Sequence, residues 1–157
     1  SGKEDDRIIF LEKLQKITSD VKFDLYGINN VQPIWADHYF KTIANAKMGL
    51  NLSRGDAIKY YSSDRITQIV GNWIVCIINK RNGYKDFFKN DEILYYKNLD
   101  DLSEKINKIS RDDKLRRKIA RKGKEKYMKY FNSTKVAEFI IEKALDIKTN
   151  KKYFWHN

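Results

Sequence analysis

Two arginines and a group of hydroxyl-bearing residues crowd one short stretch of this chain. Ser53-Arg54-Gly55 closes an apolar segment, Tyr61-Ser62-Ser63-Asp64-Arg65 leads into a helical one, and Trp73-Ile74-Val75-Cys76-Ile77-Ile78 follows as an unbroken apolar run. The order reads as strand, polar loop, helix start and buried strand. In an open α/β sheet, ligands bind outside the carboxyl ends of the strands. Unpaired N–H groups at a helix start favour phosphate there, and Arg54 and Arg65 could add charge-assisted hydrogen bonds to the same anion. The chemistry implied is the binding of a phosphorylated ligand, a nucleotide in particular.

Other residues join this set, each with a plainer reading beside it. Ser62 and Ser63 could donate to phosphate, and either could simply cap the helix. Ser53 stands beside Arg54 at the strand end. Gln68 lies one turn beyond Asp64-Arg65, placed to meet a ribose or to sit on a helix surface. Gly27 and Asn29 belong to Gly27-Ile28-Asn29-Asn30, where turn chemistry alone also selects glycine and asparagine. Tyr60 and Tyr61 could stack on a base or sugar, although an aromatic in a loop is more often packed under it. Arg65 could instead pair with Asp64 or Asp56.

Several chemistries are disfavoured. There is no P-loop and no G-x-G-x-x-G. Cys76 is the single cysteine and sits among apolar residues, a poor setting for a nucleophile. His38 adjoins Asp37, but neighbours on a helix do not face each other. His156 stands apart, so no metal site is expected. Asp5-Asp6, Asp100-Asp101 and Asp112-Asp113 fall at expected helix starts, where the helix dipole accounts for them. No residue stands out as a general base.

With 157 residues, 41% hydrophobic and 13% aromatic, the chain suits one folded domain. Ser1-Gly2 reads as a remnant of tag removal, residues 3–147 as the domain and 148–157 as a mobile tail. The lone cysteine, with no signal peptide and no run of about 18 apolar residues, points to a cytoplasmic setting. The net charge is +11, and ten basic residues fall between Arg111 and Lys129. Such an excess suits an anionic membrane surface at its inner face, nucleic acid, or a phosphorylated ligand. Nucleic acid is the least favoured, because only Tyr127 interleaves as a stacking aromatic.

Periodicity supplies the elements that must position these groups. Ile8, Leu11, Leu14 and Ile17 recur at helical spacing, and Val21 to Tyr26 alternates as a half-buried strand does. Tyr39, Ile43 and Ala46 mark a helix, Met48 to Leu52 a strand, and Ile66, Ile69 and Val70 a helix that Gly71-Asn72 ends. Trp73 to Ile78 suits an inner strand covered on both faces. Tyr84 to Phe88 reads as a short helix and Glu92 to Tyr96 as a further strand. Three helices close the chain, with stripes at Leu102, Ile106 and Ile109, at Leu115 and Ile119, and at Val136, Phe139, Ile140, Ala144 and Ile147. Asn98 and the Asn132-Ser133-Thr134 break supply caps. Strands alternating with helices predict an α/β, Rossmann-like parallel sheet with helices on both faces, ending in a run of helices.

Three passages in this order resemble the C-terminal half of a GT-B glycosyltransferase, of the group-1-like subfamily that includes the spore-maturation glycosyltransferase-like proteins. They are Ala46-Lys47-Met48-Gly49-Leu50-Asn51-Leu52-Ser53-Arg54, then Ser63-Asp64-Arg65 through Cys76, and Glu92 to Tyr127 with its Asp113-Lys114-Leu115-Arg116-Arg117-Lys118-Ile119-Ala120-Arg121-Lys122-Gly123. The resemblance runs from about Val21 to Phe139. It implies a half-enzyme that binds a nucleotide-diphosphate sugar as donor substrate, holds no permanent cofactor, and needs a preceding acceptor-binding domain for activity. The acceptor would be a polysaccharide or glycoconjugate. Gln68 stands where the family usually has the glutamate that holds the donor ribose, and an amide carries no charge. Thr67 replaces the family's aromatic, and Trp73 its small residue. Two other readings follow from the same residues: a degenerate GT-B partner, or a basic non-catalytic module that uses the Arg111–Lys129 helix.

Overall fold

Alternate side chains along one five-residue strand divide the interior into two layers. The computed structural model describes residues 6–53, 55–61 and 64–156. Its sheet has three parallel strands in the order β1 (Met48–Asn51), β2 (Val75–Asn79) and β3 (Leu94–Tyr96), with Met48 opposite Val75 and Ile77 opposite Leu94. Successive side chains of a strand point to opposite faces. Val75 and Ile77 therefore enter one layer with Leu14, Tyr96, Leu102, Ile106 and Ile119, while Cys76 and Ile78 enter the other with Ile66, Ile69, Phe88, Ile93 and Tyr95. As the central strand, β2 is buried from Val75 through Ile78.

Helices cover both faces. On the first lie α1 (Asp6–Ile17) and α4 (Leu99–Arg111); on the second lies α3 (Arg65–Gly71), which connects β1 to β2, with Ile43 of α2 (Ala36–Asn45) packed beside it. This is the expected Rossmann-like α/β arrangement. Between β2 and β3 the chain makes only two single-turn 3₁₀ pieces, Lys80–Asn82 and Tyr84–Asp86. The second takes the place of the short helix expected at Tyr84 to Phe88.

The long helix α5 (Asp113–Tyr130) serves both layers. Ile119 and Ala120 near its middle close the first, and Tyr127 in its last turn packs on the second. It passes beneath the sheet at the edge where β3 begins, because a Cβ on Gly123 would lie 2.4 Å from the carbonyl oxygen of Glu92. Lys126 pairs with Glu92 at 3.0 Å, both side chains largely shielded, and Lys122 pairs with Asp91. α6 (Ser133–Ala144) follows. The helix starts are capped as their residue types dictate: Asn98 accepts from the Asp101 N–H at 2.9 Å, Asp112 from Leu115 at 2.8 Å, and Asn132 from Lys135 at 3.0 Å.

Two expectations need correcting. Residues 22–26 form no strand. Val21 and Phe23 do pack on the first layer, so the alternation is satisfied by burial alone, without a ladder partner. Asp64 precedes α3 with no side-chain cap bond; the expected caps, Ser62 and Ser63, lie outside the described residues. The apolar stripe of α6 is not buried: Val136 is 39% and Ile140 59% exposed, while Phe139 is met by the rings of Tyr153, Trp155 and His156 in the tail.

In the tail, Phe154 stacks on Tyr130 at 4.6 Å and Trp155 on Phe131 at 5.5 Å between ring centroids. The Tyr153 hydroxyl donates to Glu142 Oε2 at 2.7 Å. Aperiodic sequence carried no sign of these contacts. Among the described residues no helix is long and apolar enough to cross a membrane.

Candidate functional site

The carboxyl ends of β1 and β2 release the two loops that matter. The β1 loop, from Leu52 to Asp64, is tied to the start of α3 because Arg65 Nη1 donates to the Leu52 carbonyl at 2.8 Å. Neither the Asp64 nor the Asp56 carboxylate is needed to explain its placement. A guanidinium has five N–H donors, so this bond does not exhaust it. Ser53 sits half-buried beside Leu52. Arg54, Ser62 and Ser63 lie outside the described residues.

Gln68, one turn into α3, is half-buried, and its side-chain oxygen accepts from the Tyr39 hydroxyl of α2. Its Nε2 stands 3.4 Å from Asp64 Oδ2. Burial, with Asp64 nearby, raises the Tyr39 pKa, and Arg65 partly offsets this. The phenol thus remains a donor at neutral pH. Tyr39, Asp64, Arg65 and Gln68 share one neighbourhood at the mouth of α3. This helix has only seven residues, so an anion here would rest more on side-chain charge than on the helix dipole.

The β2 loop locks onto the β1 loop. Tyr60 N donates to the Asn82 carbonyl at 2.8 Å, the Tyr60 hydroxyl to Asp86 Oδ2 at 2.5 Å, and the Tyr60 ring lies 5.1 Å from that of Phe87. Gly83, at φ +73°, makes the turn possible, and a Cβ there would meet Lys59 at 2.9 Å and Tyr60 at 3.1 Å. Tyr60 itself adopts φ +61°. Ile58, Tyr60 and Tyr61 remain exposed on these loops.

Gly27 and Asn29 are placed differently. Gly27, at φ +75°, closes a turn through its N–H to the Val31 carbonyl at 3.0 Å, while Asn29 Nδ2 donates to Glu12 Oε1 of α1 at 3.2 Å. Turn chemistry accounts for both. α2 bridges this turn to the other site residues, since the His38 ring lies 6.3 Å from Tyr26 and the next residue, Tyr39, bonds Gln68.

Sequence reading missed Tyr39 as a site residue, along with Asn82 and Asp86, because their partners are 22 to 29 residues away and no local pattern marks such pairs. The model for a family described as glycosyl transferase-like matches residues 7–142. The chain belongs to that family. Membership in the glycosyl transferase-like family supports a role in glycosyl transfer. No curated protein and no solved structure matches the chain significantly.

For a glycosyl transferase-like domain, the arrangement offers a cation at a strand end, an amide of set orientation and exposed tyrosines. Among the described residues it offers no cluster of three His, Cys, Asp or Glu that could hold a metal. Cys76 is buried, and burial pushes its thiol up to about 12.

Proposed function

We propose that this glycosyl transferase-like chain is the donor-binding domain of a GT-B enzyme of the spore-maturation-like group, taking a nucleotide-diphosphate sugar at the carboxyl edge of the sheet. The observation that carries the reading is the grouping of Arg65, Gln68, Asp64 and Tyr39 where β1 hands over to α3. Arg65, with Arg54 and the hydroxyls of Ser53, Ser62 and Ser63 supplied by the same loop, would face the diphosphate. Charge develops there as the sugar departs, and fixed donors stabilise it without a metal. Gln68 would meet the ribose, and Tyr60 or Tyr61 the base. Gly27 and Asn29 would border the site through α2. An acceptor domain would supply the general base and close over the sugar, so the domain alone would bind donor without turning it over. The acceptor class is a polysaccharide or glycoconjugate, and the setting is cytoplasmic.

Isothermal titration with UDP, GDP, ADP, CMP and their sugar conjugates tests this. Saturable binding of one diphosphate is expected, weakened by about 1.5–3 kcal/mol in Arg54→Ala, the usual size of a charge-assisted hydrogen bond. Loss of affinity in Gln68→Ala should accompany it. Absence of binding by every nucleotide would overturn the reading in favour of a degenerate partner.

A further inference from the structure

The positive charge of this chain is densest along α5, where ten basic residues fall between Arg111 and Lys129. α5 spends its inner side on the two core layers, through Ile119, Ala120, Gly123 and Tyr127. Its outer side repeats at helical spacing as Lys114, Arg117, Lys118 and Arg121, followed by Met128 and Lys129, all exposed. Arg117 is partly neutralised by Asp113 at 2.8 Å, and Glu125 stands 3.8 Å from Arg121. Among the described residues no carboxylate pairs with Lys114 or Lys118. At the margin of this stripe Trp73 is 49% exposed, in a left-handed conformation with φ +59°, and the Lys124 ammonium lies 4.6 Å from its ring centroid. A bulky residue rarely adopts that conformation, and here it turns the indole out beside α5.

We propose that the outer face of α5, with Trp73 and Met128 at its margin, docks on an anionic lipid surface. Basic side chains on a helix face attract anionic headgroups, roughly fivefold in affinity for each one near the surface. Indoles settle at the depth where headgroups meet acyl chains. The face is the convex side of one helix rather than a groove, and an ammonium already covers one side of the indole. Single-stranded nucleic acid, by contrast, calls for a basic groove with open stacking rings. The inference stands independently of the donor-binding reading.

The test uses the full chain with vesicles of phosphatidylcholine, with and without phosphatidylglycerol. Co-sedimentation is expected only with the anionic vesicles and should weaken as salt is raised. The double variant Lys118→Glu/Arg121→Glu, confined to exposed positions, should bind at least about 30-fold more weakly, two steps of the per-residue factor, with an unchanged circular dichroism spectrum. Brominated acyl chains should quench part of the tryptophan emission of the parent chain, and Trp73→Phe should abolish that part. Equal binding to both vesicle types, undiminished binding by the double variant, or salt-sensitive binding to single-stranded DNA without binding to vesicles would each overturn the proposal.

Discussion

The Tyr39 hydroxyl donates to the side-chain oxygen of Gln68 and so joins α2 to α3 at the mouth of the candidate site. The bond sets the amide, leaving its NH₂ group toward Asp64. Tyr39→Phe removes the donor and leaves the half-buried oxygen to find water. Stability should fall by about 0.5–1.5 kcal/mol, the net value of an ordinary hydrogen bond. The shift of a urea midpoint at constant slope measures it, and an unshifted midpoint would show that the bond contributes nothing.

Gly123 and Gly71 make a matched pair for testing how closely α5 is seated. At Gly123 a methyl group would collide with the Glu92 carbonyl, whereas at Gly71, the last residue of α3, nothing lies within 4 Å of the new atom. Overpacking costs about 1–3 kcal/mol, and alanine recovers up to about 1 kcal/mol of helix propensity. Gly123→Ala is therefore expected to be clearly destabilising, and Gly71→Ala neutral or stabilising, in the same urea assay. Equal effects would mean that α5 is free to shift.

Cys76 gives a chemical report on the central strand. Its thiol is 1% exposed and pushed up to about 12 by burial, and only the thiolate reacts. Iodoacetamide at mildly alkaline pH should leave the native chain unmodified and label it fully in denaturant. Mass spectrometry would reveal native-state labelling if the layer around Cys76 opens.

The tail contact is expected to depend on pH. The Tyr153 hydroxyl, then Lys151, hold the Glu142 carboxyl below its usual range. A depressed carboxyl stabilises the fold above its ordinary pKa, and that stabilisation is lost as pH falls through the lowered value. The Trp155 indole resonance should therefore hold its native position at neutral pH and begin to move below about pH 4. Removing the first donor with Tyr153→Phe should raise the midpoint of that movement. A midpoint unaffected by the substitution would place the release elsewhere.

The parts of this architecture that were readable in advance are those decided by near neighbours. Leu102, Ile106 and Ile109 announce α4, and the run ending at Ile78 announces a strand with both faces covered, because burial on one element follows its own repeat. Arg65 and Gln68 fell together for the same reason, being one turn apart. Val21 to Tyr26 shows where local pattern stops: alternation tells which side chains are apolar, but not whether a neighbouring strand offers a ladder. The exposed stripe of α6 makes the same point, since a period identifies an amphipathic helix without saying what covers it. Tyr39 and Asp86 could be found only in three dimensions. The expectations for Arg54, Ser62 and Ser63 concern positions outside the described residues.

The passage of α5 beneath the sheet also orders events during synthesis. Ile119 and Ala120 close one layer, while Tyr127 and Phe131 pack on the other. A nascent chain that has emerged only as far as α4 holds all three strands with both of their faces incompletely covered. Domains tend to complete folding as units, so the sheet waits for one late helix before either side is sealed. A ribosome pausing before Phe131 would leave apolar surface on both faces for a chaperone to guard.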